Sequence, residues 1–70
     1  MTDSDDLVNR FTYHPPKNHQ AERYEEIRAA GLHFATLING QTPPSREQSL
    51  SLTHIEDAVM WAIASIARHE

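Results

Sequence analysis

The sequence predicts an all-α protein: a short N-terminal arm, then an antiparallel two-helix hairpin that assembles into a compact helical homo-oligomer. Three observations lead there. Apolar residues recur at steps of three and four along two long stretches, which is the signature of one helical face. A proline-containing turn with a serine cap separates the two stretches. No segment carries a convincing strand pattern, and no internal repeat is visible.

Taken in order, residues 1–10 contain Asp3, Asp5 and Asp6 and are expected to form an acidic, disordered tail. Residues 11–70 are expected to form one helical ligand-binding and oligomerisation domain. Its lead-in is "FTYHPPKNHQAERYEEIR", residues 11–28. Pro15 biases His14 away from helical geometry, so the segment should stay extended, with Phe11 and Tyr13 on one side. The first helix is expected over 18–39, with Asn18 as its cap and Ala21, Tyr24, Ile27, Gly31, Phe34 or Ala35, and Ile38 on its apolar face. Asn39 and Gly40 should close it, glycine adopting the left-handed C′ conformation most cheaply.

Gly31 interrupts that face at a cost of about 1 kcal/mol relative to alanine. Either the interruption is simply tolerated, or the missing side chain lets another helix or a ligand approach the backbone; the second reading is preferred. In "QTPPSREQ" the prolines suit the approach to a helix, and Ser45 with Gln48 has capping-box spacing. The second helix should run to about Arg68, with Leu52, Ile55, Val59, Ala62 or Ile63, and Ile66 on its main face. Ala58, Met60, Trp61, Ala64 and Ala67 carry the apolar surface well beyond that stripe. One partner helix cannot cover so wide a surface, but helices of other protomers could.

Bulk properties point the same way. A 70-residue chain buries only about 60% of its unfolded surface, so such domains usually need reinforcement. With no cysteine there is no disulfide or thiolate metal site, and self-association becomes the leading expectation. Ten acidic residues against six basic ones give a net charge of −4, or seven against five without residues 1–10. That balance argues against a DNA or RNA duplex partner, which normally meets a basic stripe. It leaves room for a small anionic ligand, which needs only one or two placed cations. The longest apolar run is far short of the roughly 20 residues of a membrane span, and the N-terminus is acidic where a signal peptide would be basic. A soluble, intracellular protein is therefore expected.

Five histidines invite a metal site, but His14, His19, His33, His54 and His69 form no HExxH motif and no i, i+4 pair. No metal and no cofactor is expected. Ser45, Ser49 and Ser51 lie around a helix start, where capping is their ordinary work, and Glu25 and Glu26 diverge by about 100° on a helix. An enzyme is not expected.

The candidate binding residues are Tyr13, His14, Arg28 and Arg68. Tyr13 offers a flat face for a nucleobase and a hydroxyl for a hydrogen bond. Arg28 has a planar fork suited to phosphate, although Glu25 stands at ion-pair spacing. His14 belongs to the lead-in, and Arg68 also suits the last turn of a helix, where a cation stabilises the dipole. Phe11 reads best as a staple holding the arm down, Trp61 as a packing anchor, and Arg46 as a solvated group.

With these pieces in order, the sequence resembles the phage anti-CBASS protein 2 family over about residues 11–68. The resemblance rests on F-x-Y-H-x-P in the lead-in, the Tyr and Arg positions of the first helix, P-S-x-E before the second, and A-V-M-W-A-x-x-x-I-A-R at its end. It implies a homohexamer in the host bacterial cytoplasm that sequesters cyclic oligonucleotide second messengers without cleaving them. Residue by residue, it implies Tyr13 stacking on a base and Arg28 facing the phosphates. Where the family pattern has lysine, Arg28 keeps the charge and changes the geometry. A second site, for cyclic trinucleotides, is implied at another protomer junction, with Arg68 as its candidate. The competing expectation is a helical protein–protein interaction module that binds no nucleotide; a cyclic-nucleotide phosphodiesterase would need a base or metal cluster that the sequence does not supply.

Overall fold

The computed structural model describes residues 4–70, as three helices: α1 (Ser4–Phe11), α2 (Gln20–Gln41) and α3 (Arg46–His69). No strand occurs among the described residues. Residues 1–3 of the expected tail lie outside them. Residues 4–10 of it belong to α1. Asp5 and Asp6 stand in its first turn and Arg10 in its last, which favours both ends of the helix dipole. Arg10 also pairs with Asp6 at 3.0 Å, one turn away.

The helix boundaries differ from expectation at both ends of α2, for stereochemical reasons. Asn18 does not cap it; Asn18 sits at φ 54, the left-handed region that asparagine tolerates, and turns the chain so that His19 becomes the N-cap. His19 supplies no side-chain cap bond. At the far end Gly40 stays helical without a positive φ, and α2 continues to Gln41. What stops it is Thr42, extended at φ −128 and ψ 149, as a residue before proline is obliged to be. Both its backbone N–H, at 3.1 Å, and its hydroxyl, at 2.7 Å, donate to the Ile38 carbonyl.

Ser45 begins α3 as expected, its Oγ accepting from the Gln48 N–H at 3.1 Å. The other half of the capping box is missing, because Gln48 is used elsewhere. Its amide donates to the Thr42 carbonyl at 2.9 Å and hydroxyl at 3.0 Å, and more weakly to the Asn39 carbonyl at 3.3 Å. One side chain thus ties the start of α3 to the end of α2.

The two long helices pack through the predicted faces. Tyr24 and Ile66 are buried, and Ile27, Ala35, Ile38, Leu52, Ile55, Val59, Ala62 and Ile63 are half-buried; Ala21 and Phe34 turn outward. Gly31 sits where α3 approaches the α2 backbone closely: a Cβ built on it would fall well inside contact distance of Val59 Cγ2. The preferred reading of that glycine holds.

The chain alone is a thin plate. Its extents are 44 × 33 × 12 Å, the last being one helix diameter. Its radius of gyration is 15.2 Å, where a compact 70-residue domain would have about 11 Å. It exposes 5682 Å², against about 4,450 Å² for a compact monomer of its mass. Leu32, Phe34, Leu37, Met60 and Trp61 are all at least half exposed.

Candidate ligand-binding grooves

The arm between α1 and α2 is held at both ends and displays its aromatics in the middle. His14 Nε2 lies 2.9 Å from the Asn9 carbonyl, and the Lys17 N–H donates to Gln20 Oε1 at 3.2 Å. Between these fastenings Tyr13 is 80% exposed. Phe11 is 87% exposed, so it is no staple; it ends α1 with no apolar surface to cover.

One groove of about 550 Å³ opens where the arm meets the end of α3. His14, Lys17, Gln20, Arg68, His69 and Glu70 line it. The structure therefore brings together two of the four residues singled out in the sequence, His14 and Arg68. The link between them is Asn9: its Nδ2 donates to the Arg68 carbonyl at 3.0 Å, while its own carbonyl meets His14. That bond also satisfies one of the carbonyls left open at the end of α3. The Arg68 guanidinium stands 6.0 Å from the centroid of the Trp61 ring, at the limit of a cation–π contact. Trp61, 59% exposed, is thus no packing anchor in the single chain.

At the edge of this groove Arg23 grips Glu70 with two parallel bonds, Nη1 to Oε1 at 2.7 Å and Nη2 to Oε2 at 3.0 Å. The hydrogen bond from Arg23 holds the Glu70 carboxyl below its usual value against the opposing effect of burial, with the Arg23 charge, Gln20 and Lys17 assisting. The same contact raises Arg23.

Arg28 stands elsewhere. It lines a groove of about 380 Å³ with Leu32, Leu52, Ile55 and Glu56, on a surface made only by α2 and α3. Among the described residues it enters no ion pair, so the Glu25 contact that the spacing allowed does not form. A larger apolar groove of about 620 Å³, lined by Ile27, Phe34, His54 and Ala58, shares Gly31, Ile55 and Val59 with it. Tyr13 lines neither. Within one chain the stacking ring and the Arg28 fork do not share a cavity.

No group of His, Asp and Glu among the described residues could hold a metal ion. No helix there is long and apolar enough to cross a membrane. Sequence reasoning missed Asn9, Lys17, Gln20, Arg23 and Glu70. Asn9 and Glu70 meet their partners 59 and 47 residues away, at separations that leave no local pattern.

The model of the family described as Acb2/Tad1, hairpin domain, matches residues 3–67. No curated protein and no solved structure shows significant similarity to the chain.

Proposed function

The chain belongs to the Acb2/Tad1 hairpin-domain family, whose members are anti-CBASS domains that bind cyclic oligonucleotides, and on that premise we propose that it sequesters cyclic dinucleotides and cyclic trinucleotides without cleaving them. By holding the second messenger it deprives the bacterial host's CBASS effector of its activator, in the host cytoplasm. The protein works as a homohexamer. Tyr13 of one protomer stacks on a base, and Arg28 of a neighbouring protomer pairs with the phosphates. His14 and Arg68 serve a second site, for the trinucleotide ring.

The observation that carries this reading is the separation of the parts. A stacking ring that is 80% exposed and a guanidinium with no ion-pair partner line no common groove in a plate one helix thick. A plate of that kind makes a closed pocket only against another plate. The apolar grooves beside Arg28 would bury in the same step, supplying the driving force for assembly.

Calorimetric titration with a cyclic dinucleotide tests the assignment. Removing the Tyr13 ring should cost about 1–3 kcal/mol per stacked base, a loss of roughly 5- to 150-fold in affinity. Arg28→Ala should weaken binding through loss of a charge-assisted contact. If both variants keep the wild-type affinity and assembly state, the site lies elsewhere. Recovery of intact ligand from the denatured complex separates sequestration from hydrolysis.

One observation favours a second reading. Met60 and Trp61 lie side by side on the exposed face of α3, a surface that a protein partner could cover. That reading predicts no nucleotide binding at any concentration of protomer.

A further inference from the structure

The groove between the arm and the end of α3 already holds an anion of the chain's own. The Glu70 carboxylate takes both N–H groups of the Arg23 fork, and Gln20 and Lys17 help to hold its pKa down. His14, Arg68 and His69 line the same concavity, and among its lining residues no other side chain is a carboxylate. Gln20 is the first residue of α2, and His19 leaves that positive helix end without a side-chain cap. The carbonyl end of α3 works against an anion, but Asn9 occupies one of its carbonyls and Arg68 and His69 stand in its last turn. Donors from three segments thus converge on one small region whose present occupant is a side chain.

That occupant is placed to leave. Both members of the Arg23–Glu70 pair are about half exposed, so water can solvate either one when they part. Glu70 is the C-cap of α3 rather than part of the helix body, and its side chain can swing without breaking a helical turn.

We propose that Glu70 is the resident counter-anion of this groove: its carboxylate fills the Arg23 fork, beside Gln20 and Lys17, in the free protein, and a phosphodiester of the ligand displaces it. The inference rests on the cyclic-oligonucleotide reading above and deepens it, since it makes Glu70 a specificity-determining residue. A single phosphodiester carries one negative charge, as the carboxylate does, and gains little from a one-for-one exchange. A ring with several phosphodiesters can place one on Arg23 and Lys17 while another reaches Arg68 or His14 across the groove. Glu70 therefore favours polyanionic rings over lone phosphates.

The test is calorimetry with cyclic triadenylate on the wild type, Glu70→Gln, Arg23→Ala and the double variant, with Glu47→Gln at the opposite end of the hairpin as the charge control. Glu70→Gln should tighten binding by roughly 3- to 10-fold, as expected for removing a like charge several Å from a phosphate near solvent. Glu47→Gln should leave it unchanged, and Arg23→Ala should weaken it in both the wild-type and the Glu70→Gln backgrounds. Equal or weaker binding by Glu70→Gln, while the wild type still binds, would overturn the counter-anion role and leave sequestration standing. If the wild type binds no cyclic oligonucleotide, the function proposed above fails instead. Titration with inorganic pyrophosphate then decides the present inference: tighter binding by Glu70→Gln upholds it, and no difference overturns it.

Discussion

Gly31 and Gly40 lie nine residues apart in the same helix, and adding one methyl group to each should move stability in opposite directions. In a helix, Gly→Ala at a compatible position is worth about 0.4–1 kcal/mol, mostly by restricting the unfolded chain. Gly40 meets the condition: it is helical, has no positive φ, and a Cβ there would find nothing within 4 Å. At Gly31 the same gain is opposed by Val59 Cγ2, which a new Cβ would overlap. A valine in a helix is largely confined to one rotamer, so Val59 cannot turn away freely, and α2 and α3 must separate. Overpacking of this kind costs typically 1–3 kcal/mol, which leaves Gly31→Ala destabilised by up to about 2.5 kcal/mol. Thermal unfolding followed by circular dichroism, at fixed protomer concentration, reads both signs, since 1 kcal/mol shifts the midpoint of a domain this small by roughly 4–8 °C. Val59→Ala should rescue Gly31→Ala in part. The reasoning fails if Gly31→Ala raises the midpoint as much as Gly40→Ala does.

Further expectations follow from the caps, the core and the ion pair. Ser45→Ala should lose about 1 kcal/mol of stability in chemical denaturation by freeing the Gln48 N–H, and unchanged stability would mean that water caps α3 equally well. The buried Tyr24 hydroxyl has no hydrogen-bond partner. Tyr24→Phe should therefore be neutral or stabilising by up to about 1–3 kcal/mol, and a measured loss would reveal an acceptor supplied by a neighbouring protomer. The Glu70 carboxyl is lowered in the folded state, so its contribution is present above the usual carboxylate value of 4.5 and disappears as the pH falls through the lower folded value. Wild type and Glu70→Gln should therefore differ in stability at neutral pH and converge in acid; parallel profiles down to pH 2 would contradict the ion pair's part in folding.

Features encoded within one or two turns were legible in the sequence. The faces led by Tyr24, Ile27 and Ile38 on α2, and by Ile55, Val59 and Ile66 on α3, follow from a period that any helix must have. The Ser45 cap is a three-residue pattern, and the Gly31 contact was foreshadowed by a glycine on an apolar face. Errors arose where two local rules competed. Gly40 suited a helix end, but the restriction that Pro43 imposes on Thr42 decided where α2 stops. At the N-terminus, Asp6 and Arg10 at i, i+4 and a dipole-matched charge order were equally legible in the sequence and favour α1.

The candidate site was legible only as residue types. Tyr13 and Arg28 could be chosen for a flat ring and a planar fork, but whether they share a groove depends on how α2 meets α3 and where the arm leaves the hairpin. The groove containing His14 and Arg68 depends still more on distant contacts. Asn9 reaches the end of α3 across 59 residues and Arg23 reaches Glu70 across 47. No periodicity predicts either.

Native mass spectrometry of the protein, alone and with a mixture of cyclic di- and trinucleotides, tests the central claim most directly. The account predicts a hexamer that takes up both ring sizes in multiples fitting its symmetry and returns them intact on denaturation. A monomer or dimer that binds neither would contradict it, and would leave the exposed face of α3 to a protein partner.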